Sequence, residues 1–153
     1  MERAMAVVHG YDFVHDEDQY ERDARYRKLI WSSISTYQDL YDGQLWFDLE
    51  PMADYADLWR YVLPFNPEIL TATGPKRYRA GEQKLEWVPK YFGNEVRINL
   101  VERAAEKASY AAPDCVLIDD KMKAIGPWRD AGGIGVLHTS AEDTIRQLRE
   151  LGI

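Results

Sequence analysis

The sequence predicts an α/β fold, a parallel β-sheet with helices on both faces. Three observations carry that prediction. From about residue 68 onward, strand-length apolar runs alternate with helix-length amphipathic stretches, the pattern of repeated β-α-β units. Residues 115–120, CVLIDD, form a continuous apolar run that ends in carboxylates, as a parallel strand covered on both faces does. The first third is aromatic-rich and lacks strand alternation. It predicts a small helical region over residues 10–50, set within a single domain of 153 residues.

Taken in order, residues 2–9 predict a short helix. GYDFVHDEDQY, 10–20, predicts an acidic loop, and 21–31 a helix with Tyr26, Leu29 and Ile30 among its apolar positions. Gly43 and Pro51 punctuate a mixed stretch, after which Ala53–Val62 predicts a helix with Leu58, Tyr61 and Val62 on one side. PEILTAT predicts a strand ending near Thr71. EQKLEWVPKYFG predicts a helix whose apolar side carries Leu85 and Val88, with Pro89 signalling a kink or an early end. EVRINL predicts a strand at 95–100, CVLIDD the next, and AGGIGVLH a further strand after a glycine turn. Gly132, Gly133 and Gly135 lack dinucleotide-binding spacing and predict a tight turn and close packing instead. SAEDTIRQLREL predicts the closing helix, with Ser140 as N-cap, Glu142 and Asp143 in the first turn, and Ile145, Leu148 and Leu151 at three-residue spacing.

Composition narrows the function classes. A formal charge of −7, from 26 acidic against 19 basic residues, disfavours binding to long nucleic acid. It leaves room for a small phosphate ester in a local basic pocket. The lone cysteine, Cys115, permits no intrachain disulfide and suits a reducing, cytoplasmic location. The opening MERAMAVVHG is too short an apolar run for a signal peptide. No stretch reaches the roughly 18 apolar residues of a membrane span. His9, His15 and His138 have no zinc-like spacing with Cys115, and His138 reads as structural.

Ligands of parallel sheets bind beyond the carboxyl ends of strands, where Thr71, Asp119 and Asp120 are expected. A carboxylate at the rim of a dry sheet must be paired, hydrogen-bonded or metal-bound. Hard oxygen ligands beside a phosphate suit Mg²⁺, although an Asp pair before a turn also caps a following helix. Thr71 offers a hydroxyl to a phosphate oxygen, and Lys84, early in the next helix, offers a neutralising charge. Lys76 and Arg77 come at once after ATG and read either as phosphate or substrate contacts or as solvated loop charges.

ILTATG, KLEWVPKYFG, VLIDDK and AGGIGVLHTS resemble motifs of the haloacid dehalogenase-like (HAD) superfamily. They are most similar to those of its 5′(3′)-deoxyribonucleotidase group and the small phage and bacterial members. The resemblance covers about residues 45–153. It implies a Rossmann-like, HAD-like sheet with a small helical cap, and a Mg²⁺-dependent phosphomonoesterase acting on nucleoside monophosphates. Carried over motif by motif, Thr71 contacts the phosphate and Lys84 stabilises it and a phospho-aspartyl intermediate. Asp119 ligates the metal, and Asp120 supports the metal's water shell. GQLWFDLEPM resembles the segment that leads back from the family's cap, which places Trp46 and Phe47 near the base; ordinary aromatic packing is the other reading of these two.

The chain departs from the family at its start. Members begin with a strand ending in D-x-D-G-V, which supplies the nucleophile and the acid/base group, whereas MERAMAVVHG resembles the family segment just after that motif. The expectation is therefore a sheet without its first, central strand, between the strands that end at Thr71 and Asp119. The chain as it stands is expected to hold Mg²⁺ weakly and to show little or no phosphomonoesterase activity. Three alternatives accompany this reading. The sequence would begin downstream of the true start, with the missing strand and motif upstream; the protein would be a natural fragment or noncatalytic relative that binds a nucleotide, a protein or nothing; or the gap would be filled by rearrangement or by exchange of elements between the subunits of a homo-oligomer, with Asp12, Asp16 or Asp18 as a stand-in nucleophile.

Overall fold

The computed structural model describes residues 46–74 and 79–153. The expectations for residues 2–9, 10–20 and 21–31, and all but the end of the helical region at 10–50, lie outside these residues, as do Lys76 and Arg77. The described elements are helix α1 (Tyr55–Val62), a 3₁₀ turn (Leu63–Phe65), strand β1 (Ile69–Ala72), helix α2 (Ala80–Phe92), strand β2 (Ile98–Val101), a 3₁₀ helix (Ala104–Tyr110), strand β3 (Val116–Asp119), helix α3 (Met122–Asp130), strand β4 (Ile134–Leu137) and helix α4 (Ala141–Glu150).

The arrangement is mixed α/β with short parallel strands. β1 pairs with β2 in the register Ile69↔Ile98 to Ala72↔Val101, and β3 pairs with β4 from Val116↔Ile134 to Asp119↔Leu137. Among the described residues the strands form two sheets of two, and β1 does not pair with β3. Each sheet is one self-contained β-α-β unit, β1-α2-β2 and β3-α3-β4. A strand's apolar pattern reports that its faces are covered, not which strand lies beside it, so the sequence shows the units and leaves their lateral order open.

The 3₁₀ helix links the two units. Ala104, Ala111 and Leu70 of β1 pack on a buried cluster of Leu117, Ala124, Ile125 and Trp128. Among the described residues Ile125, Leu148, Val136 and Thr144 are the largest fully buried side chains. Helix α1 lies along α4. The Tyr61 hydroxyl donates to the Ile153 carbonyl at 2.7 Å, and an Asp54 carboxylate oxygen accepts from the Ala141 amide at 2.7 Å.

Helix ends follow the expected chemistry. Ser140 Oγ accepts from the Asp143 amide at 3.1 Å, as predicted for the N-cap of α4. Both α3 and α4 stop on a glycine with positive φ, Gly132 at 92° and Gly152 at 82°. In each case paired amides close back on the last turn: Gly133 N to Trp128 O with Gly132 N to Arg129 O, and Ile153 N to Leu148 O with Gly152 N to Arg149 O. Gly133 is small for a separate reason, since a Cβ there would collide with the Trp128 indole.

Three expectations about helices change. Pro89 neither ends nor shortens α2, which runs on to Phe92. Val88 is buried but Leu85 is 46% exposed, because the inward stripe of α2 runs through Ala80, Gln83, Lys84, Trp87 and Val88 at helical spacing. In the same way Leu151 falls beyond the end of α4 and is exposed. Sequence reading also passed over α3, whose Gly126 and Pro127 are poor helix formers; burial of Ala124, Ile125 and Trp128 outweighs that. Among the described residues no helix is long and apolar enough to cross a membrane.

Candidate functional site

Thr71 stands near the carboxyl end of β1, and Asp119 is the last residue of β3. Lys84 lies in the second turn of α2 and points back to β1. Its Nζ donates to Thr71 Oγ1 at 3.0 Å and to the Ala72 carbonyl at 2.6 Å. The second contact is a side-chain bond to a strand carbonyl, so part of the backbone near the end of β1 is satisfied by a lysine.

Asp119 is held in two ways. Its Oδ2 accepts from Lys107 Nζ at 2.5 Å, and its Oδ1 accepts from the Lys121 amide at 2.9 Å. Both partners of the ion pair are buried, with side chains 10% and 7% exposed. Burial is tolerated because each charge meets the other and the carboxylate has a further donor.

The two clusters are electrostatically one site. The Lys84 ammonium is pulled from its ordinary 10.5 down to about 8, first by burial and then by the positive charge of Lys107, with Asp119 opposing the shift. Lys84, bonded to Thr71, is thus within electrostatic reach of Lys107 and Asp119. Asp120 is not part of this site in the same way, because it is exposed.

Trp46 is buried, and its ring centroid lies 5.3 Å from Lys84 Nζ. Gln83 fixes the approach of this segment, its Oε1 accepting from the amides of Trp46 at 2.8 Å and Phe47 at 3.3 Å. The Trp87 indole donates to the Leu49 carbonyl at 2.6 Å. Between segment and helix is a pocket of about 150 Å³ lined by Trp46, Leu49, Ile69, Thr71, Lys84, Trp87 and Val88. Phe47 does not line it and instead lies 5.1 Å from Lys90 Nζ. His138, at the end of β4, is engaged through Nδ1 with the Thr144 hydroxyl at 2.8 Å.

Lys107 is the participant that sequence reading missed. Its only signal is a single lysine within AAEKASYAA, where small neighbours allow close approach to β1 and α3. Gln83 was missed too, since nothing in a helical pattern distinguishes a glutamine that binds a neighbouring backbone from one in solvent.

The chain matches no protein-family model, no curated protein and no solved structure.

Proposed function

We propose that this protein is a HAD-like phosphomonoesterase scaffold of the 5′-nucleotidase type that binds a small phosphomonoester between Thr71, Lys84 and Lys107. The observation that carries the reading is the electrostatic coupling of the partly buried Lys84–Thr71 pair at β1 to the buried Lys107–Asp119 pair at the end of β3. Among the described residues two ammonium groups act there with one buried carboxylate, and the excess positive charge suits a phosphate oxyanion. In this reading the β1–β2 and β3–β4 pairs flank the place of the central strand of a Rossmann-like sheet. Trp46 lies at the edge of the phosphate site, where a nucleoside monophosphate carries its base.

The described carboxylates do not form a Mg²⁺ shell by themselves. Mg²⁺ takes a near-octahedral set of oxygens at about 2.1 Å. Asp119 has both oxygens engaged by Lys107 and Lys121 and Asp120 is exposed. Among the described residues no group of three or more His, Cys, Asp or Glu side chains could hold a metal ion. Phosphoryl transfer to a carboxylate also needs an oxygen free to attack in line, and Asp119 is tied down. The chain is read as binding its ligand with little or no turnover. A noncatalytic nucleotide-binding relative is the second reading, favoured by that same engagement of Asp119.

Calorimetric titration with inorganic phosphate, a panel of nucleoside monophosphates and a panel of sugar phosphates tests the proposal. Wild type is expected to bind phosphate compounds and nucleotides best, with Lys84→Met and Thr71→Val each weakening binding at least about tenfold, one charge-assisted hydrogen bond's worth. No binding to any phosphate compound would remove the reading, and a preference for sugar phosphates would remove its nucleotide part.

A further inference from the structure

We propose that Lys84 is a covalent attachment site for a small apolar aldehyde or ketone, which condenses with its side-chain amine in the pocket lined by Trp46, Leu49, Ile69, Trp87 and Val88. The inference needs only the amine and the pocket, not phosphate binding, and it is read with neither phosphate nor metal present.

The geometry accommodates an unprotonated amine at this position. A neutral amine has two N–H bonds, and Lys84 Nζ has two oxygen acceptors at hand, Thr71 Oγ1 at 3.0 Å and the Ala72 carbonyl at 2.6 Å. Both protons are then placed and the lone pair is left for a carbonyl carbon. The third proton of an ammonium would have to be met by the Trp46 ring, whose centroid is 5.3 Å away. Burial and the neighbouring Lys107 charge favour loss of the proton, and Asp119 opposes them, which leaves the group at about 8. Roughly a tenth of the chains therefore carry a nucleophilic amine near neutral pH, whereas an exposed lysine is almost wholly protonated there.

The pocket supplies the selectivity. Apart from Thr71 and Lys84 its lining residues are aromatic or aliphatic, and its volume is about 150 Å³, a size at which apolar cavities accept a benzene-sized ring. In the reaction Nζ attacks the carbonyl carbon, forming the C–N bond, while the carbonyl oxygen takes the proton that nitrogen gives up. The resulting carbinolamine loses its hydroxyl, with a second proton from nitrogen, as water. The products are one imine and one water, with no change of oxidation state. The Thr71 hydroxyl, within hydrogen-bond reach of Nζ, is placed to pass these protons.

The test uses benzaldehyde with sodium cyanoborohydride, which reduces each imine to a stable benzylamine, and site-by-site peptide mass spectrometry at neutral pH and low occupancy. Lys84 should be labelled at least about tenfold faster than exposed Lys90 and Lys123, with the advantage lost in urea. Val88→Trp and Leu49→Trp, each filling the pocket and checked for folding by circular dichroism, should bring Lys84 down towards the exposed rate and leave Lys90 unchanged. Labelling of native wild-type Lys84 no faster than Lys90 overturns the proposal. So does an advantage that survives both pocket-filling substitutions in folded protein.

Discussion

Replacing Lys107 with methionine removes one charge of a buried pair and leaves the other. The Lys107 and Asp119 side chains are 10% and 7% exposed, and their charged atoms are 2.5 Å apart. After Lys107→Met, the Asp119 carboxylate keeps the Lys121 amide but loses its countercharge in a poorly solvated place. Breaking a buried pair from one side costs about 3–5 kcal/mol, a large share of the roughly 5–15 kcal/mol that holds a domain together. Removing both charges is a different perturbation. Lys107→Met combined with Asp119→Leu leaves no uncompensated ion, and apolar replacement of a buried pair is often neutral or better. The double variant should therefore be more stable than the single one. Urea unfolding followed by circular dichroism and tryptophan fluorescence gives the comparison, with the midpoint shifting at unchanged slope. A cost below about 1 kcal/mol for Lys107→Met would show the pair to be effectively solvated. A double variant no better than the single would place the loss in the packing of the lysine stem.

The lowered Lys84 group makes stability depend on pH in a defined direction. Between about 8 and 10.5 the unfolded chain binds more protons than the folded one, so folding stability rises through that window. The shift corresponds to at most about 3 kcal/mol; urea titrations at several pH values should show the rise in wild type and lose it in Lys84→Met. Ser140→Ala, which deletes the acceptor for the Asp143 amide, should cost about 1 kcal/mol in the same assay. Two glycines should respond oppositely to alanine. At Gly133 a Cβ meets the buried Trp128 indole, so Gly133→Ala should lower the unfolding midpoint by the equivalent of about 1–3 kcal/mol. At Gly126, inside α3 with open space around the added atom, the same change should raise stability by about 0.5–1 kcal/mol.

How much of this was legible depended on the kind of signal. The four strands β1 to β4 and helices α1, α2 and α4 could be read from apolar runs and periodicity, and Ser140 was found as a cap because capping is a local matter of one side chain and an amide three residues on. Gly132 and Gly133 were likewise readable as a turn. Helix α3 was not, because Gly126 and Pro127 lower local propensity while the burial that stabilises it comes from the 3₁₀ helix and β3. Lateral strand order was not, because it is set between units remote in sequence. In the site, Thr71, Lys84 and Asp119 stood out by their positions at strand ends or early in a helix. Lys107 lies in a segment without periodicity, and it becomes visible only when folding sets it against Asp119.

The two uses proposed for Lys84 compete for one proton. As an ammonium, Lys84 adds its charge to that of Lys107 against the buried carboxylate of Asp119 among the described residues. A partly dry site resolves such an excess either by releasing a proton or by taking up an anion. Release leaves the amine that attacks a carbonyl compound, and an anion restores the ammonium and removes the nucleophile. The coupling must be reciprocal, because both ligands bias the same protonation equilibrium. Phosphate that binds beside Lys84 should raise the pH at which the amine becomes reactive and slow its benzylation at neutral pH. Benzylation of Lys84 should in turn weaken phosphate binding. Labelling at saturating phosphate, set against labelling at equal ionic strength in chloride, separates this linkage from simple screening. Equal rates in the two salts would mean that phosphate binds elsewhere or not at all, and the anion reading of the site would fall while the reactive amine remained.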